Sequence, residues 1–274
     1  MVLRSAARHL LALLILVILA SCGSGRVKDG PPGRGSGSIA LPGDAVPRPE
    51  PRSRYGNGPV YEVFGKRYTV MHSSSGYKER GVASWYGKKF HGNLTANREP
   101  YDMYAMSAAH KSLPLPTYVR VRNLRNNRSV IVRVNDRGPF VNNRIIDLSY
   151  VAALKLDMVR DGTSFVEIEA INFDEPPGDR PTRQMSARPA ESPAPAAVST
   201  TGIFVQVGAF GDRSNAERRL LLLSSIGSAF IVEDTTNRAL YRVRLGPIDG
   251  IVQYDALVEK LVGLGITDPY LVTQ

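Results

Sequence analysis

The chain has 274 residues, 43% of them hydrophobic, with one cysteine and a formal net charge of +10. That length accommodates two small domains, the apolar content excludes a wholly disordered polymer, and one cysteine excludes an intramolecular disulfide. The excess positive charge lies in residues 1–173, with 174–274 slightly acidic, which suits a membrane surface or an anionic wall rather than a DNA-binding domain.

Arg4, Arg8 and His9 precede an apolar run, Leu10 to Ala20. It is too short for a bilayer core, which needs ~20 residues, and reads as an export signal over 1–21. The run ends in "LASC", which resembles the lipobox of bacterial lipoproteins and implies a lipid on Cys22, a peripheral anchor. An ordinary signal with a chance cysteine is the alternative. Residues 22–59 are dense in Gly, Pro, Ser and Arg, lack apolar periodicity and read as a flexible tether.

Residues 60–80 begin with "VYEVFGKRYTV", which alternates around a Gly-Lys turn as a leading hairpin. "GVASWYG", "YAMSAAH", "TYVRVRNL", "SVIVRVNDRG" and "SFVEIEAI" follow as short strands, with "RNNRS" (125–129) as a hairpin loop. One helix is predicted over "YVAALKLDM", capped by Asp147 or Ser149. About six strands and one helix over 81–173 predict a small closed barrel. A Pro-rich linker spans 174–200. From 201 to 274 the order is βαββαβ, an α+β unit with both helices on one face of an antiparallel sheet. That order also occurs in the RNA-recognition fold, but the RNP1 pattern is missing, the domain is slightly acidic and the chain carries an export signal, so no nucleic-acid partner is expected.

"RVNDRGPF" ends a buried strand by carrying Asp136 into a Gly-Pro turn. Either Asp136 caps that turn, as aspartates do, or it has chemical work. Glu99 in "TANREPYD" and His110 in "SAAHKSL" are the other candidates. A lone histidine among small apolar residues reads as a satisfied core group, as a partner that orients Glu99 or as a direct contact to the ligand. Asp147 reads as a helix cap and Asp102 as a turn residue. Trp85, Tyr86, Phe90, Tyr101 and Tyr104 are either barrel core or the lining of a groove. His72, His91 and His110 form no HExxH or close ligand pair, and no P-loop, GxGxxG or nucleophile elbow occurs, so neither metal nor cofactor is expected.

Residues 81–173, including "GVASWYGKKFHGNLTANREPYDMYAMSAAHKSL" and "VNDRGPFVNNRIIDLS", resemble the rare lipoprotein A family. "FVQVGAF" followed by "YRVRLGP" resembles the SPOR domain. The resemblance implies a six-stranded double-psi β-barrel joined to a peptidoglycan-binding module. It implies an endolytic lytic transglycosylase acting on peptide-free glycan at the division septum, with Asp136 as the acid, Glu99 as the second carboxylate and His110 beside them. Where the family has glycine before the glutamate, this chain has Arg98, which puts the turn in question and would lower the pKa of Glu99 by proximity. A raised pKa at Asp136 would require burial or the charge of Glu99. Trp85 and Tyr101 in the barrel, and Gln206, Phe210, Arg242 and Arg244 on the open sheet face, are the candidate glycan contacts, with Phe204, Gln206 and Phe210 sharing one face of their strand. Gly23 after the lipidated cysteine favours the outer membrane by analogy, and amidase or divisome partners stay open. The competing reading is a non-catalytic, expansin-like wall protein; two acids where binding alone needs neither favour the enzyme.

Overall fold

The computed structural model describes residues 29–33, 41–141, 143–173, 202–234, 240–267 and 269–273; the leader, Cys22 and the 174–200 linker lie outside them. Among the described residues no helix is long and apolar enough to cross a membrane. A hairpin leads, β1 (Val60–Val63) against β2 (Lys66–Thr69). Its turn falls one residue before the expected Gly-Lys pair, on Phe64 and Gly65. Both have positive φ, 50° and 74°, the mirror-image turn whose twist matches the strands.

Six strands then close a barrel: β3 (Lys78–Tyr86), β4 (Ser107–His110), β5 (Thr117–Asn123), β6 (Ser129–Asp136), β7 (Arg144–Ser149) and β8 (Thr163–Ala170). Their spatial order is β3-β7-β4-β6-β5-β8. β3 runs parallel to β7 and β4 to β6, the two crossings of a double-psi barrel, and the remaining neighbours are antiparallel. In β6, Val130, Val132 and Val134 point inward while Ile131 and Arg133 face out, the period-2 pattern of a half-buried strand. The core also takes in Ala83, Ala108, Val119, Val121, Ile146, Leu148, Val166 and Ile168. Each Val, Leu or Ile side chain among them contributes roughly 1.5–3 kcal/mol when fully buried.

"RIIDLS" is β7, and of the two cap candidates in it Asp147 lies inside the strand while Ser149 ends it. The strand pairs on both edges, with β3 and β4. Strands in that setting lose clean alternation, so periodicity does not flag them. The helix that follows, α1 (Tyr150–Lys155), is capped by the Ser149 side chain, which accepts from Ala152 N.

The tether reading fails for residues 41–59, which form an extended strap on the barrel. Ala45 N donates to Ile131 O (3.0 Å) and Ser53 N to Leu115 O (2.8 Å). Asn57 Nδ2 donates to Leu115 O at 2.7 Å, and Leu115 N returns a bond to Asn57 Oδ1 at 2.8 Å. A strap satisfied bond by bond against existing strands needs no apolar periodicity of its own.

The second unit comprises β9 (Ile203–Phe210), α2 (Arg213–Leu223), β10 (Ala229–Asp234), β11 (Leu240–Leu245), α3 (Ile251–Gly263) and β12 (Tyr270–Thr273), in the sheet order β10-β11-β9-β12. Asp212 caps α2. Val205, Val207, Val243 and Leu245 meet Ala216, Leu223, Leu257 and Leu261 in its core. That cluster also buries Val82 and Phe165, paired neighbours on β3 and β8. The Phe165 ring lies edge-on to Tyr254, with centroids 5.7 Å apart. Arg144 makes two 3.0 Å bonds to the Asp255 carboxylate, so the units are docked through α3.

Candidate active site

Asp136 ends β6. Its Oδ1 accepts from Ala96 N (2.7 Å) and Arg137 N (2.8 Å). Among the described residues Oδ2 has no hydrogen bond, so one oxygen of the carboxyl caps the turn and the other is left out of it. Burial raises its pKa, against the lowering effect of those two bonds and of Arg137. The turn beyond needs glycine for its backbone, with Gly138 at φ 139°. The Arg137 side chain points away, donating to Gly56 O (2.8 Å), His110 O (3.1 Å) and Leu113 O (2.6 Å).

Glu99 lies on the loop that supplies Ala96. Its carboxylate accepts from Arg133 Nη1 (2.7 Å) and Nη2 (3.0 Å) and from Asn135 Nδ2 (2.9 Å). Partial burial pushes its pKa up, but the bonds from Arg133, Asn135 and Asn97 outweigh it and hold the group below the ordinary carboxylate range. Arg98 is not the cause, contrary to expectation. It sits in the left-handed region at φ 71° with its guanidinium 5.3 Å from the Tyr55 ring centroid. The backbone asks for glycine there, which accounts for the family's usual residue. Arg98→Gly relieves about 1 kcal/mol of backbone strain and gives up about 0.5–1 kcal/mol of cation–π attraction. Denaturant unfolding should therefore show a change near zero; a loss beyond 1.5 kcal/mol would contradict this account.

Asp147 was misread from sequence. On β7 it pairs with Ala109 of β4, which pairs on its other side with Asp136. One small residue thus separates the two acids across strands spaced about 4.8 Å apart. Asp147 Oδ1 accepts from Ser84 Oγ at 2.5 Å. Burial raises its pKa; Ser84, Lys111 and Arg144 oppose that and the charge of Asp136 adds to it. The signal available in sequence was an acid inside an "IID" apolar run, out of place for a cap. The charge of Asp136 is felt at Asp147, while Asp147 is not among the groups that shift Asp136. Asp136→Asn should therefore let Asp147 ionise at lower pH, read as a lower midpoint of the Asp147 carboxyl in a carbon-detected NMR titration; an unmoved midpoint would separate the two acids.

His110 is not brought to Glu99. Its Nδ1 accepts from Ser112 N (3.2 Å) and Leu113 N (3.0 Å), so Nε2 carries the proton towards Tyr77 Oη at 2.9 Å. Burial, with Arg137 and Lys111, lowers its pKa to about 3, leaving a neutral buttress under the Arg137 network. Asp102 is the turn residue expected, accepting from Tyr104 N at 2.9 Å.

Tyr101 is core, not a sugar platform: it is 3% exposed, stacks on Tyr86 at 4.0 Å and donates to Tyr86 O. Trp85 is half-buried, edge-on to Tyr150 at 5.5 Å. Tyr61 and Tyr68 of the leading hairpin pack with Phe140 at centroid distances of 5.3–6.3 Å, and the charge of Asp136 is felt at Tyr61 and at Tyr86.

In the second unit, Gln206 is 1% exposed, donates to Tyr270 Oη and accepts from Arg244 Nε at 3.3 Å. Arg242 pairs with Asp234 at 2.7 Å. Phe210 does not share their face. The β9–β11 register skips Val207, a bulge that inverts the parity beyond it. Phe210 therefore packs on the helix side, under Arg219 at 5.8 Å. A cavity of about 570 Å³ lies between the units and is lined by Lys111, Arg144, Tyr254 and Tyr270, not by Asp136 or Glu99. Glu99, 42% exposed at its side chain, stands at an open surface, as a polymeric substrate requires.

A double-psi barrel with one carboxyl pushed upward by burial and one held ionised presents the two protonation states that cleavage of a glycosidic bond uses. Residues 78–168 match the lytic transglycolase family and residues 199–273 the SPOR domain. The endolytic peptidoglycan transglycosylase RlpA of Vibrio cholerae is 40% identical, covering 97% of both chains. That of Pseudomonas aeruginosa PA14 is 39% identical over 84% of this chain and 80% of its own. The solved RlpA SPOR domain from Pseudomonas aeruginosa is 32% identical, covers 26% of this chain and 97% of its own, and has a TM-score of 0.25. The chain belongs to the RlpA family.

Proposed function

We propose that the protein is an endolytic peptidoglycan lytic transglycosylase that cuts glycan strands free of stem peptides. The observation that carries this is the opposite tuning of Asp136 and Glu99 on one strand–loop unit. Asp136 Oδ2 delivers its proton to the glycosidic oxygen as the C1–O bond breaks. The resulting carboxylate takes the proton of the muramic 6-hydroxyl as that oxygen closes onto C1, so no water enters. Glu99, kept ionised by Arg133, supports the positive charge that develops on the sugar ring. His110 and Asp147 set the surroundings. The barrel over 81–173 is the catalytic unit, 174–200 a linker and 201–274 the wall-binding module, with Arg242, Arg244 and Tyr270 its glycan-facing set and Gln206 buried as their support. A lipid on Cys22 would hold the protein at the outer membrane, and the SPOR domain would enrich it at the septum. The test is incubation with amidase-treated sacculi followed by mass analysis. Anhydro-muramyl ends are expected; reducing ends would make the protein a hydrolase, and no release would leave a wall-binding protein.

A further inference from the structure

The strap residues Glu50 to Asn57 lie outside the stretch matched by the transglycosylase family, 78–168, yet they end on the supports of both acids. Glu50 accepts from Arg133 Nε (3.1 Å) and Nη2 (2.8 Å), the same guanidinium that holds Glu99. The Tyr55 ring carries Arg98, next to Glu99. Gly56 passes so close to the Glu99 loop that a Cβ there would stand 2.9 Å from Ala96 O, and Ala96 N holds Asp136. Gly56 O and Asn57 Oδ1 accept from Arg137 at 2.8 and 3.2 Å.

We propose that this strap is a working part of the active site and that Glu50 is a positioning residue for Glu99. A guanidinium offers five N–H groups in one rigid plane. Glu50 engages the Nε edge of Arg133 and leaves the opposite corner to Glu99, which sets both the direction of approach and the plane of the second carboxylate. Two acids on one cation also share its charge, so Glu50 limits how strongly Arg133 holds Glu99 ionised. Glu50 is itself anchored: Tyr118 Oη donates to it, and its side chain is 17% exposed. A merely structural clamp would not need to place its carboxylate on the one arginine that meets Glu99.

The inference rests on Glu99 being the standing carboxylate of the reaction. Glu50→Gln and Glu50→Ala are compared with wild type in the full chain, by turnover of denuded glycan and by carbon-detected NMR titration of the Glu99 carboxyl. Glutamine removes the competing charge and keeps one of the two acceptors, since its amide NH2 cannot accept from Arg133, so kcat falls less than in the alanine variant and the Glu99 midpoint moves to lower pH. Alanine frees Arg133 to rotate, and kcat falls roughly ten- to a hundredfold with KM little changed. Wild-type kcat in Glu50→Ala with an unmoved Glu99 midpoint overturns the proposal. So does equal loss in both variants with that midpoint unmoved, the mark of a folding defect. Glu99→Gln run alongside separates the failures. Full turnover there overturns the reading of Glu99 and the catalytic weight of Glu50 with it; lost turnover there beside a silent Glu50→Ala overturns the strap alone.

Discussion

Asp136→Asn is expected to lose roughly 10²–10⁴-fold in kcat, the usual contribution of a positioned proton donor, while the folded protein becomes more stable at neutral pH. The amide oxygen can still accept from Ala96 N and Arg137 N, so the turn keeps its cap. What disappears is the proton carried on the free oxygen. The stability gain has a definite sign. Burial raises the folded-state pKa above its unfolded value, so the favourable contribution of the protonated acid is full below the unfolded pKa and is lost as pH rises through the folded one. Asparagine never ionises and escapes that loss. Melting temperatures at neutral pH should therefore rank the variant above wild type, and the gap should vanish in acid. A variant that melts lower at neutral pH would mean the carboxylate serves the turn more than the reaction.

Much of this site was legible in sequence because strand ends and turns carry local signals. The alternating "SVIVRVND" and the Gly-Pro turn placed Asp136 at a strand terminus, and the hairpin over 125–129 formed as expected between β5 and β6. Properties set by neighbours distant in the chain were not legible. Asp147 looks like a cap until β7 is seen to pair with two strands. The parity of β9 reads correctly only up to Val207, because a bulge is invisible to a period-2 rule. His110 could be a core group or a reacting one until Ser112 N and Leu113 N are found on its Nδ1. The strap defeated the composition argument outright: Pro and Gly forbid regular structure, but not an ordered path along a barrel that supplies the missing bonds.

Arg133 lies where these two levels meet, and its removal should produce the largest combined effect on fold and activity. It makes four charge-assisted bonds of 2.7–3.1 Å, two to Glu50 and two to Glu99. Arg133→Met keeps much of the aliphatic stem, takes from Glu99 the guanidinium that holds it, and leaves Glu50 with the exposed Arg48, whose Nε lies 3.4 Å away. A charged hydrogen-bond partner contributes about 1.5–3 kcal/mol; with Glu99 half open to solvent, which screens its share, a net loss of about 2–3 kcal/mol is expected at neutral pH. The pH dependence identifies the source. The bonds from Arg133 hold Glu50 at about 2. That contribution is full above the unfolded carboxylate pKa and is lost as pH falls through the folded one, so the difference between wild type and variant should close as pH approaches 2. Arg133→Lys restores a charge but not a planar fork, so it should recover stability more completely than turnover. Equal recovery of both would show that the site needs only a cation there, and that the geometry imposed by the guanidinium plane has no catalytic consequence.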